Sequence, residues 1–258
     1  MIKKKLYEAL YTTYNNDQRK GIHVSDLIYC PRKTCFRRLD PQQIKDQELN
    51  MFTSGSGIEG SVVKLLKIFP DDFEFQKQGV WNGISYSIDV WDKKYHYPIE
   101  IKSYRGKTMD KPKSHYIEQL EAYMALTKSD YGEILVQCLL HFDDDPGDAW
   151  LEFSHEMDED KRQKVLEKLT NDAYRLKLGL ESHNPAVVRH IAYDAAFINK
   201  KGVNWTCKTC HWLAPCTDMR NKERAKKGLE EEPKEYGITL ETFVKGMKEV
   251  AQSKEDKK

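Results

Sequence analysis

Hydrophobic residues change period several times along this chain, and the changes lay out its elements. Ile88 and Val90 flank Asp89, and Ile99 and Ile101 flank Glu100. Alternation of this kind marks half-buried strands. Strands are predicted at 72–78, 83–91 and 96–103, and the ten residues between Asp89 and Glu100 suffice for one hairpin turn. Helical spacing takes over at 113–127 (KSHYIEQLEAYMALT), where Ile117, Leu120, Met124 and Leu126 are apolar. The run EILVQCLLHF (133–142) reads as a buried strand, and AWLEFSHE (149–156) as a half-buried one across a DDDPGD turn. From 158 to 180, Val165, Leu169, Leu176 and Leu180 define one side of a long helix, before Asn184-Pro185 breaks the chain.

The N-terminal third is read the same way. Leu6, Leu10 and Tyr11 lie on one side of a helix within 1–20. In the segment that follows Gly21, Ser25 is the expected N-cap, Asp26 lies in the first turn and Pro41 ends the run. The stretch SGSGIEGSVVKLLKIF predicts a glycine-rich turn feeding a helix, with Ile58, Val62, Leu65 and Leu66 on one stripe and Glu59 at its beginning. Residues 217–258 are polar and charge-dense, with a last helix expected at 239–251. The expected divisions are an N-terminal helical segment (1–50), an α/β core (51–183), a cysteine-bearing segment (184–220) and a charged tail (221–258).

Composition narrows the class. The 258 residues hold 42 basic and 41 acidic side chains, a net charge of +1. Any surface for nucleic acid is then a local patch rather than an overall field. No apolar run has the length of a membrane span, and the first residues lack the apolar block of a signal peptide, so a cytoplasmic protein that does not meet a membrane is expected. In that compartment six cysteines point to metal ligands or core thiols rather than disulfides.

Two groups of residues carry chemistry. Glu100 and Lys102 are two apart on a strand and share a face, and Asp89 on the partner strand can converge on it. Two carboxylates beside one ammonium suit Mg²⁺ or Mn²⁺, hard cations that take oxygen ligands. Such an ion activates water and offsets phosphate charge, while the lysine orients the water or stabilises the charge that develops. Gln119 and Tyr123 are four apart on the predicted helix and share a face as well. GKTM (106–109) lacks the upstream glycine spacing of a phosphate loop and is not one.

The second group is Cys207, Cys210 and Cys216, a C-x2-C-x5-C run that needs a fourth ligand to make a Cys₄ site for [4Fe–4S] or Zn²⁺. Cys30 is the first candidate donor and Cys35 the second, whereas Cys138 sits inside an apolar strand. Such a site would clamp the two ends of the chain around the central hairpin.

In order along the chain, Cys30, the glycine run through Glu59, Asp89, Glu100-Ile101-Lys102, Gln119-x3-Tyr123 and the three later cysteines resemble the PD-(D/E)XK nuclease superfamily. More narrowly they resemble the RecB-like, iron–sulfur-containing exonucleases associated with CRISPR systems and their stand-alone archaeal and viral relatives, over about residues 20–217. The resemblance implies an α/β fold with a mixed central sheet flanked by helices, and a Cys₄ cluster subdomain joining the N- and C-terminal segments. It implies that Asp89 and Glu100 hold Mg²⁺ or Mn²⁺ with the carbonyl of Ile101, that Lys102 is the catalytic lysine, and that Gln119 and Tyr123 support the site and contact the DNA strand. Cys30, Cys207, Cys210 and Cys216 would hold a [4Fe–4S] cluster. Members of the family cut DNA, often single-stranded and from an end, and some act with the CRISPR integrase in spacer acquisition.

One position departs from the family. Where relatives carry a metal-binding histidine after a GxxxH motif, this chain has Glu59, or Ser61 if the frame is taken from Gly57. Glu59 is preferred because Ile58 then occupies the apolar place before the ligand, and a carboxylate there shifts the preference toward harder cations. A catalytically inactive DNA-binding or scaffold protein with an iron–sulfur or zinc site is the alternative. An electron-transfer protein is a weaker one, since it leaves the D…ExK and QxxxY residues without a role.

Overall fold

The alternating stretch from 73 to 104 folds into three successive antiparallel strands of a mixed sheet. The structure is a computed structural model and describes residues 2–15, 20–41, 46–140, 149–188, 207, 210–212 and 214–219. Its helices are α1 (Ile2–Asn15), α2 (Val24–Ile28), α3 (Pro31–Leu39), α4 (Asp46–Leu66), α5 (Ser114–Thr127) and α6 (Glu159–Glu181). Its strands are β1 (Ile22–His23), β2 (Phe73–Trp81), β3 (Ile84–Asp92), β4 (Tyr97–Tyr104), β5 (Tyr131–Cys138) and β6 (Trp150–Glu156). Among the described residues the sheet runs β1-β3-β4-β5-β6, with β2 also paired to β3. The β2–β3, β3–β4 and β5–β6 pairs are antiparallel, whereas β1–β3 and β4–β5 are parallel.

Turn chemistry sets the registers. Asn82 and Gly83 join β2 to β3 with φ of 46° and 79°, the left-handed pair that a two-residue hairpin loop requires. The ladder closes at Trp81 and Ile84 and keeps one register to Phe73 and Asp92. The next turn is held by Asp92, whose Oδ1 accepts from the Tyr95 N–H at 2.7 Å, and by His96 at φ 59°. Parallel strands need a long crossover, and α5 supplies it between β4 and β5.

Core packing follows from the strand period. Val90 and Ile101 pack with Val62, Ile58, Val63 and Leu66 of α4 on one face of the sheet. Ile134 and Val136 pack with Tyr116, Leu120 and Met124 of α5, and with Val165 and Leu166 of α6, on the other. Full burial of a Val, Ile, Leu or Met side chain contributes about 1.5–3 kcal/mol each, so these two layers hold the hairpin in place.

The chain groups into two units. One comprises residues 1–29 and 43–173, and the other residues 30–42 and 174–258. In the second, Phe36, Trp212, Cys216 and Met219 form a small buried cluster, with the Phe36 and Trp212 rings stacked at 6.3 Å. Arg32 donates from Nε to the Val188 carbonyl at 2.9 Å, and Asn184 caps the 3-10 helix Pro185–Val187 by accepting from Ala186 N–H at 3.1 Å.

Several local expectations change. The stretch from Gly55 to Gly60 is not a turn but the middle of α4, so Glu59 lies well inside a helix rather than at its start. A 21-residue amphipathic helix docked on the sheet absorbs the cost of its glycines through tertiary packing. Leu65 is 67% exposed, and Val63 takes its place on the buried stripe. Leu6 is likewise exposed, so the covered side of α1 is made by Tyr7, Leu10 and Tyr11. His23, not Ser25, is the N-cap residue of α2, and its N–H donates to Asp26 Oδ2 at 3.0 Å. The segment expected to run unbroken to Pro41 divides at Cys30, because Pro31 starts a new helix. The strand expected to reach residue 142 ends at Cys138. The DDDPGD turn, the expected helix at 239–251 and the charged tail from 221 lie outside the described residues. No described helix is long and apolar enough to cross a membrane.

Candidate active site

Asp89 and Glu100 stand opposite one another where two strands part. The β3–β4 ladder pairs Asp92 with Tyr97, Trp91 with Pro98 and Val90 with Ile99, and then stops. Asp89 and Glu100 are the next pair in that register and are not bridged. Instead the Asp89 carboxylate occupies the gap: Oδ2 accepts from the Ile101 N–H at 2.9 Å. Position 89 is also unbridged on its other side, because the β2–β3 ladder passes from Phe75–Val90 to Lys77–Ile88 and omits Gln76–Asp89.

Glu100 is 1% exposed. Its Oε1 accepts from the Lys102 ammonium, and its Oε2 has no hydrogen-bond partner among the described residues. Burial pushes the Glu100 carboxyl above its ordinary value, with Lys102 opposing and Glu59 adding to the rise. Burial also lifts Asp89 well above the ordinary carboxylate range; the charge of Glu100 adds to this, while Lys102 opposes it. Glu59 raises Asp89 further and the Ile101 N–H works against the rise. For Lys102, burial alone would lower the ammonium's value, but Glu100, Tyr29 and Asp89 outweigh it and hold the group above the usual lysine range. Lys102 is therefore a fixed cation at neutral pH.

The helix α5 braces that cation. Lys102 Nζ donates to Gln119 Oε1 at 3.2 Å, and Gln119 Nε2 donates to the Tyr123 hydroxyl at 2.9 Å. The i, i+4 spacing makes this link possible, because both side chains rise from one face of the helix. Burial, with the charges of Glu100 and Asp89, raises the Tyr123 hydroxyl well above its ordinary value and keeps it neutral. Below the ammonium lies the ring of Tyr116 at 5.7 Å, and the Tyr116 hydroxyl donates to the Ser103 carbonyl at 3.3 Å.

Glu59 reaches this group from α4. Its Oε1 accepts from Gln76 Nε2 at 2.5 Å, and Gln76 Oε1 in turn accepts from the Ser87 hydroxyl at 3.0 Å. Ser61, the other residue considered for the position, bonds its own helix by donating to the Gly57 carbonyl at 2.8 Å. Gln76 and Ser87 were not singled out from the sequence. The signal that finds Gln76 is the Asn82-Gly83 turn, which sets the register and so places residue 76 across from Asp89. Gln76 has φ of 52°, a left-handed conformation inside a strand that costs on the order of 1–3 kcal/mol and clusters at functional sites. Tyr29 was also missed; its hydroxyl is raised, chiefly by burial, and it interacts electrostatically with Lys102, Glu100 and Asp89.

The donor set fits a divalent cation held through oxygen. If ionised together, Asp89, Glu100 and Glu59 set three negative charges against the single positive charge of Lys102, and the buried Glu100 Oε2 has a lone pair that no group among the described residues uses. Buried carboxylates that repel one another in this way are relieved by an ion or by protons. Among the described residues, no three His, Cys, Asp or Glu side chains stand within ligand distance of one point.

The expected cluster ligands Cys30, Cys207, Cys210 and Cys216 all belong to the second unit. Cys207 and Cys216 are buried. The Cys210 N–H donates to the Cys207 carbonyl at 3.0 Å, and the Cys216 N–H to the Trp212 carbonyl at 3.0 Å. Among the described residues the cysteine sulfurs do not form a group of three ligands around one point. Cys35 is fully buried, and burial pushes its thiol up to about 12 against the lowering effect of Arg32 and Arg38, which suits a core thiol.

No protein-family model matches the chain, and no curated protein matches it. Among solved structures it is similar to the crystal structure of SSO0001, with a TM-score of 0.54 and 18% identity over 82% of this chain and 94% of that one. It also matches an alkaline exonuclease, LHK-Exo, from Laribacter hongkongensis, with a TM-score of 0.44 and 15% identity over 68% of this chain and 95% of that one. A third match is a phage related exonuclease from Haemophilus somnus 129PT, with a TM-score of 0.45 and 14% identity over 66% and 99%. The likeness to SSO0001 is one of fold: a mixed central sheet flanked by helices.

Proposed function

We propose that this protein is a metal-dependent deoxyribonuclease of the PD-(D/E)XK type that hydrolyses phosphodiester bonds, with single-stranded DNA as its preferred substrate. The observation that carries the reading is the parting of β3 and β4 at Asp89 and Glu100, with Lys102 locked between Glu100 and Gln119. A structural sheet position would be filled by paired, apolar or hydrogen-bonded groups; this one concentrates buried charge. The sequence resemblance to RecB-like nucleases supports both the chemistry and the choice of DNA.

Mg²⁺ or Mn²⁺ bound here supplies Lewis-acid activation of water and charge neutralisation at the phosphate. Asp89 and Glu100 hold the ion, with Glu59 and the Ile101 carbonyl as further oxygen donors. The Ile101 N–H fixes one oxygen of Asp89 and leaves the other to bind. Lys102 keeps its proton and presents positive charge to a non-bridging phosphate oxygen in the transition state. Gln119, tied to Tyr123, gives that ammonium a second acceptor besides Glu100 and so fixes its direction.

Within the same reading, Cys30, Cys207, Cys210 and Cys216 hold a structural [4Fe–4S] cluster, supported by their spacing and their common unit. The CRISPR integrase as partner rests on the sequence resemblance alone. Cleavage of end-labelled single-stranded and duplex DNA with Mg²⁺ or Mn²⁺ tests the function. Cleavage that requires the ion, favours the single strand and disappears in Lys102→Ala is expected; ion-independent cleavage, or none by the wild type, contradicts it.

A further inference from the structure

Gln76 lies outside every motif that the proposed nuclease chemistry uses, yet three independent features converge on it. It is the residue directly across from Asp89 in a ladder that keeps one register from Phe73 to Trp81, and theirs is the pairing this ladder omits. Its backbone is left-handed, with φ of 52°, where its neighbours in β2 are extended strand. Its amide spans two elements, donating to Glu59 Oε1 on α4 at 2.5 Å and accepting from the Ser87 hydroxyl on β3 at 3.0 Å.

These features explain one another. An extended Gln76 would complete the ladder with Asp89 in the ordinary way. The left-handed turn breaks that rung and accompanies an amide aimed at Glu59. The amide is polarised in one direction: the Ser87 hydroxyl donates to its oxygen, and its nitrogen donates to the carboxylate. A carboxylate has about four acceptor positions, so one bond from Gln76 to Oε1 leaves Oε2 and the remaining lone pairs for a cation. Ligating carboxylates in metal sites are oriented by outer hydrogen bonds of this kind.

We infer that Gln76 is a positioning residue for the metal site: clamped by Ser87, it holds the Glu59 carboxylate in the orientation from which Glu59 joins Asp89 and Glu100 on a divalent cation. The inference rests on the metal-dependent reading of the site and assigns to it a residue outside its motifs. The left-handed backbone is part of the device, so a glycine at this position relaxes the backbone while removing the amide.

Direct Mn²⁺ binding, followed by electron paramagnetic resonance without DNA, separates this role from a purely structural one. Gln76→Ala and Gln76→Gly are expected to weaken Mn²⁺ binding about 10–100-fold, the usual effect of losing such an outer partner. Gln76→Gly is expected to melt at or above the wild-type temperature without metal, so that stability and metal affinity move in opposite directions. Ser87→Ala, which leaves the amide in place but unclamped, is expected to weaken binding by less. Unchanged or tighter Mn²⁺ binding in both Gln76 variants overturns the inference while leaving the nuclease reading intact. A wild-type protein that binds no Mn²⁺ overturns the nuclease reading, and this inference with it.

Discussion

The Asp89 carboxylate accepts the backbone N–H of Ile101 at 2.9 Å, across the point where β3 and β4 separate. A side chain thus takes the place of a ladder bond. Strand pairing stops without leaving that amide unsatisfied. The same bond orients Asp89, which has no strand partner on either side. The proposed chemistry depends on this one substitution of carboxylate for carbonyl.

The carboxylate pair makes metal-free stability depend on pH. Folded Asp89 and Glu100 bind protons more tightly than their ordinary values of 3.8 and 4.5, burial being the main cause. A raised folded value means that stability is greatest below the ordinary value and falls as pH rises toward the folded one. Thermal melts in chelator between pH 5 and 8 should show wild type losing stability with rising pH relative to Asp89→Asn. Saturating Mg²⁺ should flatten that difference, because the ion takes the place of the protons.

Lys102→Ala removes the cation that compensates Glu100. Breaking a buried charge pair by deleting one partner costs about 3–5 kcal/mol when the other stays charged. Urea unfolding of this variant should show a loss that grows as pH rises above the ordinary glutamate value of 4.5, because burial raises the Glu100 carboxyl and a proton can replace the missing cation at the acid end. Mn²⁺ binding should persist in the variant, since the ammonium acts on the phosphate and not on the ion.

Gln119→Ala leaves Lys102 with Glu100 as its remaining protein partner among those seen here. Misplacing a catalytic group by about 1 Å can lower the rate about 100-fold. Steady-state cleavage should show a fall of that order in kcat, with the Mg²⁺ concentration for half-maximal activity unchanged. Equal loss in both would place Gln119 among the metal-binding groups instead.

Glycines inside α4 offer a stabilising change. A methyl group at Gly55 or Gly60 would meet nothing within 4 Å, and neither residue has the positive φ that would call for glycine. Each replacement by Ala should raise stability by about 0.5–1 kcal/mol, read from the urea midpoint. A loss would mean that the closeness of the helix backbone matters at those positions.

Metal analysis tests the cysteines. Protein purified without oxygen should carry iron and sulfide, lose both in Cys207→Ser, and keep both in Cys138→Ala and Cys35→Ala. Stoichiometric zinc without iron would assign a structural zinc site instead.

How much of this was readable beforehand varies with the physics involved. The strands around Asp89 and Glu100 were legible because a period of two is unambiguous when β-branched residues flank a charge, and β3 and β4 appear within a residue or two of their expected places. The convergence of Asp89, Glu100 and Lys102 followed from that period, and the shared face of Gln119 and Tyr123 from the i, i+4 spacing on α5; that the two groups meet was implied by the family resemblance rather than by either period. The glycines around Glu59 misled, because local propensity favours a turn there while burial of Ile58, Val62 and Leu66 imposes a helix. Gln76 was hidden for a different reason. Its role depends on cross-strand register and an unusual φ, and neither leaves a mark in the residue itself. Asn82-Gly83 carried the register, but it takes counting back six residues from that turn to reach Gln76.

Cleavage of end-labelled single-stranded DNA by Asp89→Asn with saturating Mg²⁺ tests the central claim most directly. The amide is isosteric and its oxygen can still accept the Ile101 N–H, so the parting of β3 and β4 is preserved while one charge is lost. The account predicts a folded variant, as stable as wild type or more so without metal, that does not cut DNA. A folded Asp89→Asn that cleaves at the wild-type rate would contradict it.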